Sequence, residues 1–151
     1  MRYLRMARGA YIERGALKVH HIDKATLSMR GVDTRRELER FVALVGCAQA
    51  RQIRVVAHSA AFDVNAINRT LTKFNSPERI QMAHTFCTMK AARPLMKLRD
   101  VRGWVKNPKN SELYTFLVKE ELPLKLHDAL VDCRMTGRAF IAGAHRRWWM
   151  P

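Results

Sequence analysis

Two short stretches of the chain combine carboxylates with imidazoles at spacings that suit hydrolytic chemistry. The first, His58-Ser-Ala-Ala-Phe-Asp63, follows an apolar run, and the second, His127-Asp-Ala-Leu-Val-Asp132, opens a helical pattern. Carboxylate oxygens are the ligands that Mg²⁺ and Mn²⁺ prefer. An imidazole, with an ordinary pKa of about 6.5, can take a proton from an attacking water near neutral pH. Asp63 and Asp132 are therefore candidate metal ligands, and His127 is a candidate general base.

The predicted elements around these stretches place both carboxylates in the first turns of helices. Residues 53–57 are a short β-branched run that predicts a buried strand, so Asp63 falls in the first turn of the next helix. Backbone amides point outward there and the helix dipole is positive, which favours an ionised carboxylate. Asp132 lies one turn into the last predicted helix. Since five helical residues turn by about 500°, His127 must lie at or before the helix start to share a centre with Asp132.

The remaining pattern predicts an α/β protein. An amphipathic helix is predicted after Asp33, where Thr34 and Glu37 have the spacing of a capping box. Helices and strands then alternate before several helices end the chain, an order typical of the α/β class. The other predicted elements are a short extended piece at residues 17–19, a strand at residues 84–88, a helix at residues 89–98 broken at Pro94, a basic exposed loop at residues 99–110, a helix at residues 111–121 and a last helix from about Asp128.

Composition bounds the class of protein and its partners. The 151 residues suffice for one domain, predicted at residues 11–151 after a basic segment at residues 1–10. No apolar stretch approaches the roughly 20 residues that cross a bilayer, and the three cysteines lack metal-site or disulfide spacing. We therefore expect no membrane partner and a cytoplasmic location, with the nucleoid or another DNA-containing compartment as the alternative. Lys and Arg number 28 against 13 acidic residues. That excess favours nucleic acid as a partner, with a solvated basic surface as the alternative.

In sequence order and local setting, the two stretches resemble the second and third motifs of the DEDDh-type 3′-5′ exonucleases. This family includes the proofreading epsilon subunit of bacterial DNA polymerase III. Asp63 matches the aspartate that ends the second motif, and His127 and Asp132 match the histidine and aspartate of the third. The segments at residues 87–90 and 107–114 are also similar to the family's sequence between these motifs.

The resemblance implies a fold, an activity and a set of site residues. It implies an RNase H-like α/β fold and hydrolysis of DNA or RNA phosphodiester bonds at single-stranded 3′ ends, assisted by two Mg²⁺ or Mn²⁺ ions. It implies that Asp63 and Asp132 bind metal and that His127 is the catalytic base. The family usually has Asn in place of one residue of the second motif, Ser59. Candidate substrate-binding residues are His58, Ser59 and Phe62.

The family's first motif, an Asp-x-Glu pair on an early strand, does not occur in this sequence. In the family that strand is central and carries two of the four metal-binding carboxylates. We therefore expect an N-terminally incomplete domain with a remnant sheet, and weak or no activity of the chain alone. A missing N-terminal fragment or a polymerase is an expected partner. The alternatives are a catalytically inactive relative that binds nucleic acid, and a basic packaging protein whose motif matches are accidental.

Two other features of the sequence admit more than one interpretation. Trp148 and Trp149, with the basic residues before them, could stack on unpaired bases, but packing of their indoles on the domain is favoured. Asp128 could add a metal ligand, but an acidic residue at a helix start that faces solvent is favoured.

Overall fold

The computed structural model describes residues 2–123 and 128–149, and it shows a mixed chain with two small parallel sheets. Strand β1, Tyr3–Leu4, pairs with β2, Gly31–Val32, and strand β3, Val55–Ala57, pairs with β4, Thr85–Cys87. Helices connect the paired strands, as parallel pairing requires, and the predicted α/β class is confirmed. The helices are α1 (Arg14–His20), α2 (Lys24–Arg30), α3 (Thr34–Ala50), α4 (Ala60–Lys73), α5 (Thr88–Met96), α6 (Asn110–Val118) and α7 (Ala129–His145).

The pair of strands β3 and β4 fixes where the site lies. Val55 pairs with Thr85 and Ala57 pairs with Cys87, so both strands end at the same edge of the sheet. Helices α4 and α5 begin at that edge. The predicted strands at residues 53–57 and 84–88 are confirmed, each shortened to three residues.

Helix α3 begins with a different cap from the one that its sequence predicts. The Asp33 carboxylate accepts the amide of Arg36 at 2.8 Å. The Thr34 hydroxyl instead donates to the carbonyl of Arg5 at 2.6 Å. The capping-box prediction for Thr34 and Glu37 is therefore wrong. The predicted amphipathic face is confirmed by its buried residues, which are Leu38, Val42 and Val45.

Two further predictions of local structure are wrong. Residues 17–19 are helical within α1 instead of extended. Helix α5 runs through Pro94 without the expected break and ends at Met96, where Lys97 adopts a left-handed φ of 48°. Pro94 lacks the amide that would donate to the carbonyl of Lys90, so the helix loses one backbone bond and ends two residues later.

The main hydrophobic core joins α5, α6 and α7 to the segment that follows α7. Trp149 is 7% exposed, and its Nε1 atom donates to the carbonyl of Phe140 at 3.0 Å. A Cβ atom on Gly143 would lie only 2.1 Å from the Trp149 ring, so the indole fills the space that this glycine leaves. The packing interpretation of Trp149 is confirmed. The buried residues of this core are Ala92, Leu113, Leu117, Ala139 and Trp149.

Candidate active site

The turn between β3 and α4 is held in place by the ring of His58. Its Nε2 atom lies 2.9 Å from the carbonyl oxygen of Pro108, and its Nδ1 atom lies 3.0 Å from Oγ1 of Thr88. A carbonyl only accepts, so Nε2 carries a proton and donates it to Pro108. In the neutral ring Nδ1 then accepts from the Thr88 hydroxyl. Both ring nitrogens therefore have protein partners.

The surroundings of His58 favour its neutral form. Burial lowers the pKa of the His58 imidazole below its ordinary value of 6.5, since a charged ring loses hydration there. The Pro108 carbonyl and the negative charges of Asp63 and Asp132 act in the opposite direction but do not outweigh burial. A neutral imidazole with a hydrogen bond at each ring nitrogen holds its neighbours in position. Its predicted contact with substrate stays a prediction.

Asp63 lies in the first turn of α4, as predicted. Although its side chain reaches the surface, nearby atoms displace enough water from the carboxyl group to raise its pKa above the ordinary value of 3.8. Its own backbone amide and His58 oppose this rise. Desolvation therefore outweighs the lowering of the Asp63 pKa that the helix terminus would produce. A nearby positive charge would stabilise the ionised form of this carboxylate.

The two other candidate residues of this motif flank the start of α4. Ser59 caps the helix through its backbone, accepting the Phe62 amide at 2.8 Å, and its side chain makes no capping bond. The Phe62 ring is 74% exposed and stands next to Asp63 in the chain. An exposed ring beside a carboxylate is available to a ligand. The substrate-binding roles of both residues stay predictions.

Asp132 lies in the first turn of α7, again as predicted. Asp128 caps this helix by accepting the amides of Leu130 and Val131 at 2.9 and 3.2 Å. The Asp132 carbonyl accepts from the Asn110 amide at 3.1 Å and from the buried Thr136 hydroxyl at 2.9 Å. Helix α6, which Asn110 begins, therefore fixes the turn that carries Asp132.

The structure places Asp63 and Asp132 near the same two side chains. Asp63 and Asp132, which are 69 residues apart in the chain, both act electrostatically on the ring of His58. Both also contribute to raising the pKa of the Cys133 thiol, after the larger effect of burial. Two carboxylates that act on the same two side chains share one neighbourhood. His127, the predicted base, lies outside the described residues.

Comparison with known families identifies the family to which the chain belongs. A model of the exonuclease family of the RNase T type matches residues 1–140. The chain belongs to this exonuclease family. Membership implies an RNase H-like fold, with which the alternating helices and strands agree, and it supports a nuclease function on nucleic acid. A search of curated proteins found no match. Across the described part of the chain, no helix is long and apolar enough to cross a membrane.

Exonucleases of this kind generally use divalent metal ions, and the described residues include two candidate carboxylate ligands. Within residues 2–123 and 128–149, no group of three His, Cys, Asp or Glu side chains is placed to hold an ion. Mg²⁺, however, keeps several waters and often takes only one or two carboxylates together with substrate phosphates. Asp63 and Asp132 are the two carboxylates that would be available to one such ion. A second ion needs further oxygen ligands.

The sequence did not indicate the residues that hold His58 and Asp132 in position. Thr88 and Pro108 bind the His58 ring, while Asn110 and Thr136 bind the backbone of Asp132. Three of these four, Thr88, Pro108 and Asn110, lie in the segments at residues 87–90 and 107–114, whose similarity to the family was the available signal. Nothing in those segments indicated which side chain faces which motif.

Proposed function

We propose that this chain is a DEDDh-type exonuclease that removes nucleotides from the 3′ ends of single-stranded DNA or RNA. The observation that carries the proposal is the shared neighbourhood of Asp63 and Asp132 around His58. This convergence supports the pairing of motifs that the resemblance implies. The net charge of +15 adds affinity for a polyanionic substrate. We also propose a cytoplasmic location, in keeping with three free cysteines.

Each candidate residue has a chemical role in this proposal. Asp63 and Asp132 would hold Mg²⁺ or Mn²⁺, which when bound activates water and stabilises the leaving 3′ oxygen. Asp63 suits this task because its ionised form is partly desolvated, so a bound cation would stabilise it. His127 would take the proton from the attacking water. Phe62, exposed beside Asp63, would stack on the terminal base. His58 would hold the turn that carries Asp63 and Phe62.

A second candidate function is a nucleic-acid-binding module without turnover. It is favoured by the lack of a three-residue metal group within the described ranges. It is also favoured by the absence of an Asp-x-Glu pair from this sequence. Further oxygen ligands from another polypeptide segment, or a polymerase partner, would convert such a module into an enzyme. Turnover by this chain alone is therefore expected to be slow.

Hydrolysis of an oligonucleotide labelled at its 5′ end decides between these functions. The exonuclease predicts a ladder of products shortened from the 3′ end in Mg²⁺ or Mn²⁺, which EDTA or a blocked 3′ end abolishes. Asp132→Asn and Asp63→Asn should each slow the reaction by about 100-fold or more, because each loses a candidate ligand. Glu78→Gln, which removes an exposed carboxylate elsewhere, should keep full activity. Parallel DNA and RNA substrates identify the preferred sugar.

The alternative outcomes are distinct. Salt-dependent binding without any metal-dependent shortening would establish the binding module and remove the exonuclease. Full activity of both Asp variants would show that the shortening comes from a contaminating nuclease. Asp63→Asn is not expected to lower stability, because burial already disfavours the ionised form that the substitution removes. Circular dichroism of each variant verifies this.

A further inference from the structure

Residues 98–106, between α5 and α6, form a short hairpin, hereafter the basic hairpin. Its two arms meet in an antiparallel bridge between Arg99 and Val105. The Asp100 amide donates to the carbonyl of Trp104 at 2.9 Å. The Asp100 carboxylate accepts two amides of the tip at 2.9 and 3.0 Å. Backbone bonds and one carboxylate therefore hold the turn, and the indole is not needed to form it.

The tip of the basic hairpin exposes an aromatic ring beside cations. Trp104 is 72% exposed, whereas Trp149 is 7% exposed in the core. Arg99 and Arg102 precede the ring in the chain and are exposed, and the Arg99 guanidinium donates to the carbonyl of Gly103 at 2.6 Å, one residue before Trp104. An exposed indole on a held turn, next to guanidinium groups, is the combination with which proteins bind unpaired nucleotides.

A groove of about 470 Å³ lies between α5 and the downstream arm of the basic hairpin. Lys90 and Arg93 are its charged lining residues, and both are exposed. Arg93 also donates to the carbonyl of Val105 at 3.2 Å, which joins the hairpin to α5. The lining among the described residues contains no carboxylate, so the groove is positive.

One end of this groove lies beside the second motif. Met89, which lines the groove, donates its amide to the carbonyl of His58 at 3.2 Å. The His58 ring also binds Pro108, four residues after Trp104. Four residues span at most about 14 Å, so the basic hairpin lies within that distance of Pro108. A stacked strand covers that length with at most about four nucleotides.

We propose that the groove and the basic hairpin bind the nucleic-acid strand upstream of its reacting 3′ end. Lys90 and Arg93 contact phosphates in the groove, and Trp104 stacks on a base upstream of the end. The inference rests on the proposed function, because it takes the 3′ end to lie at Asp63 and Asp132. It adds a second contact region that determines how long a strand must be to bind well.

The observations favour a nucleic acid over an acidic peptide as the occupant. Both would satisfy the positive charges of Lys90 and Arg93. Only the nucleic acid offers a flat base at each nucleotide. Stacking of an exposed indole on a base is favourable whichever base it is. A carboxylate side chain has nothing that stacks on Trp104.

Filter binding of radiolabelled single-stranded oligonucleotides to the full chain tests the inference. The buffer contains EDTA, so that metal-dependent hydrolysis does not shorten the strand during the measurement. Trp104→Ala should weaken binding of a 12-nucleotide strand by about fivefold or more, and Trp104→Phe should restore part of the loss. Binding of a 3-nucleotide strand should change less than twofold. Lys90→Gln should reduce the slope of log affinity against log salt by about 0.7.

Two substitutions serve as matched controls. Tyr11→Ala removes an aromatic ring that is 85% exposed outside the groove. Arg51→Gln removes an exposed cation that precedes β3, at the opposite end of that strand from His58. Each should bind the 12-nucleotide strand within twofold of the unaltered chain. Since Trp104 is exposed, its removal should also leave the unfolding midpoint unchanged.

The possible results separate this inference from the proposed function. Unchanged binding by Trp104→Ala, with 3′ shortening intact, would overturn the inference alone. Loss of binding in Trp104→Ala without any metal-dependent shortening would support the inference and remove the exonuclease. Displacement of the strand by polyglutamate, with Trp104→Ala weakening only the peptide, would overturn the nucleic-acid assignment.

Discussion

The Nε2 atom of His58 donates a hydrogen bond to the carbonyl oxygen of Pro108, 2.9 Å away and 50 residues further along the chain. The other ring nitrogen binds Thr88, which is fully buried. One side chain therefore ties the turn before α4 to the start of α5 and to the segment before α6. The position of Asp63, five residues later, depends on this connection.

Replacing His58 by Ala should destabilise the fold. The substitution leaves the buried Pro108 carbonyl without the ring that binds it, and it leaves the Thr88 hydroxyl only the longer bond to the Ala57 carbonyl at 3.5 Å. The expected loss is about 1–3 kcal/mol in the free energy of unfolding. Urea unfolding followed by circular dichroism measures it. His84→Ala, which removes an exposed ring before β4, should change stability by less than about 0.5 kcal/mol. Equal effects of the two substitutions would show that the His58 bonds contribute nothing.

The stability of the protein should fall as pH decreases below 6.5, in part because of His58. Burial lowers the pKa of His58 in the folded state, so the unfolded chain takes up the proton first. The stabilising contribution is complete above pH 6.5 and is lost as pH falls toward the folded pKa. Urea midpoints at pH 7.5 and 5.5 should therefore differ more for the unaltered chain than for His58→Gln. The same difference in both would contradict a lowered pKa.

Asn110 is expected to be a positioning residue for Asp132. Asn110→Ala removes the amide that donates to the Asp132 carbonyl at 3.1 Å, and the start of α7 loses its tie to α6. If the chain hydrolyses oligonucleotides, kcat should fall about tenfold or more while KM changes less, because the carboxylate shifts relative to the reacting atoms. Ser111→Ala, in the same helical turn, is the matched control. Loss of kcat in both variants would indicate a general effect on α6.

Two glycines of α7 should respond in opposite ways to a methyl group. Gly143→Ala places a Cβ atom 2.1 Å from the Trp149 ring, so the indole must move and the protein should lose about 1–3 kcal/mol. Gly137→Ala meets no atom within 4 Å and should gain up to about 1 kcal/mol from better helix propensity. Thermal unfolding of the two variants compares them directly. A stable Gly143→Ala protein would mean that Trp149 does not require this space.

Much of the framework follows from patterns that are local in sequence. Helix α3 was predictable because apolar residues recur at helical spacing, and β3 because a β-branched run precedes the second motif. Their order placed Asp63 and Asp132 in first turns of helices, as the structure has them. Helix α1 was missed because seven residues with no buried side chain leave little periodicity.

The contacts that align the site were not predictable in the same way. Asn110 and Asp132 meet through an amide and a backbone carbonyl 22 residues apart, and neither residue type signals such a bond. The sequence suggested a substrate-binding role for the His58 ring, whereas its actual partners depend on where α5 and α6 pack. Interactions of this kind follow from tertiary packing, which a single sequence does not encode as a spacing.

The unequal surroundings of the three indoles give the protein its own optical reporters. Trp149 is enclosed beside Gly143 and Trp148 is half-buried, while Trp104 faces water. Iodide should therefore quench the red-shifted emission of Trp104 and leave the bluer emission of the other two largely intact. Emission colour alone then distinguishes an event at the tip between α5 and α6 from a loosening of the core, with no dye attached.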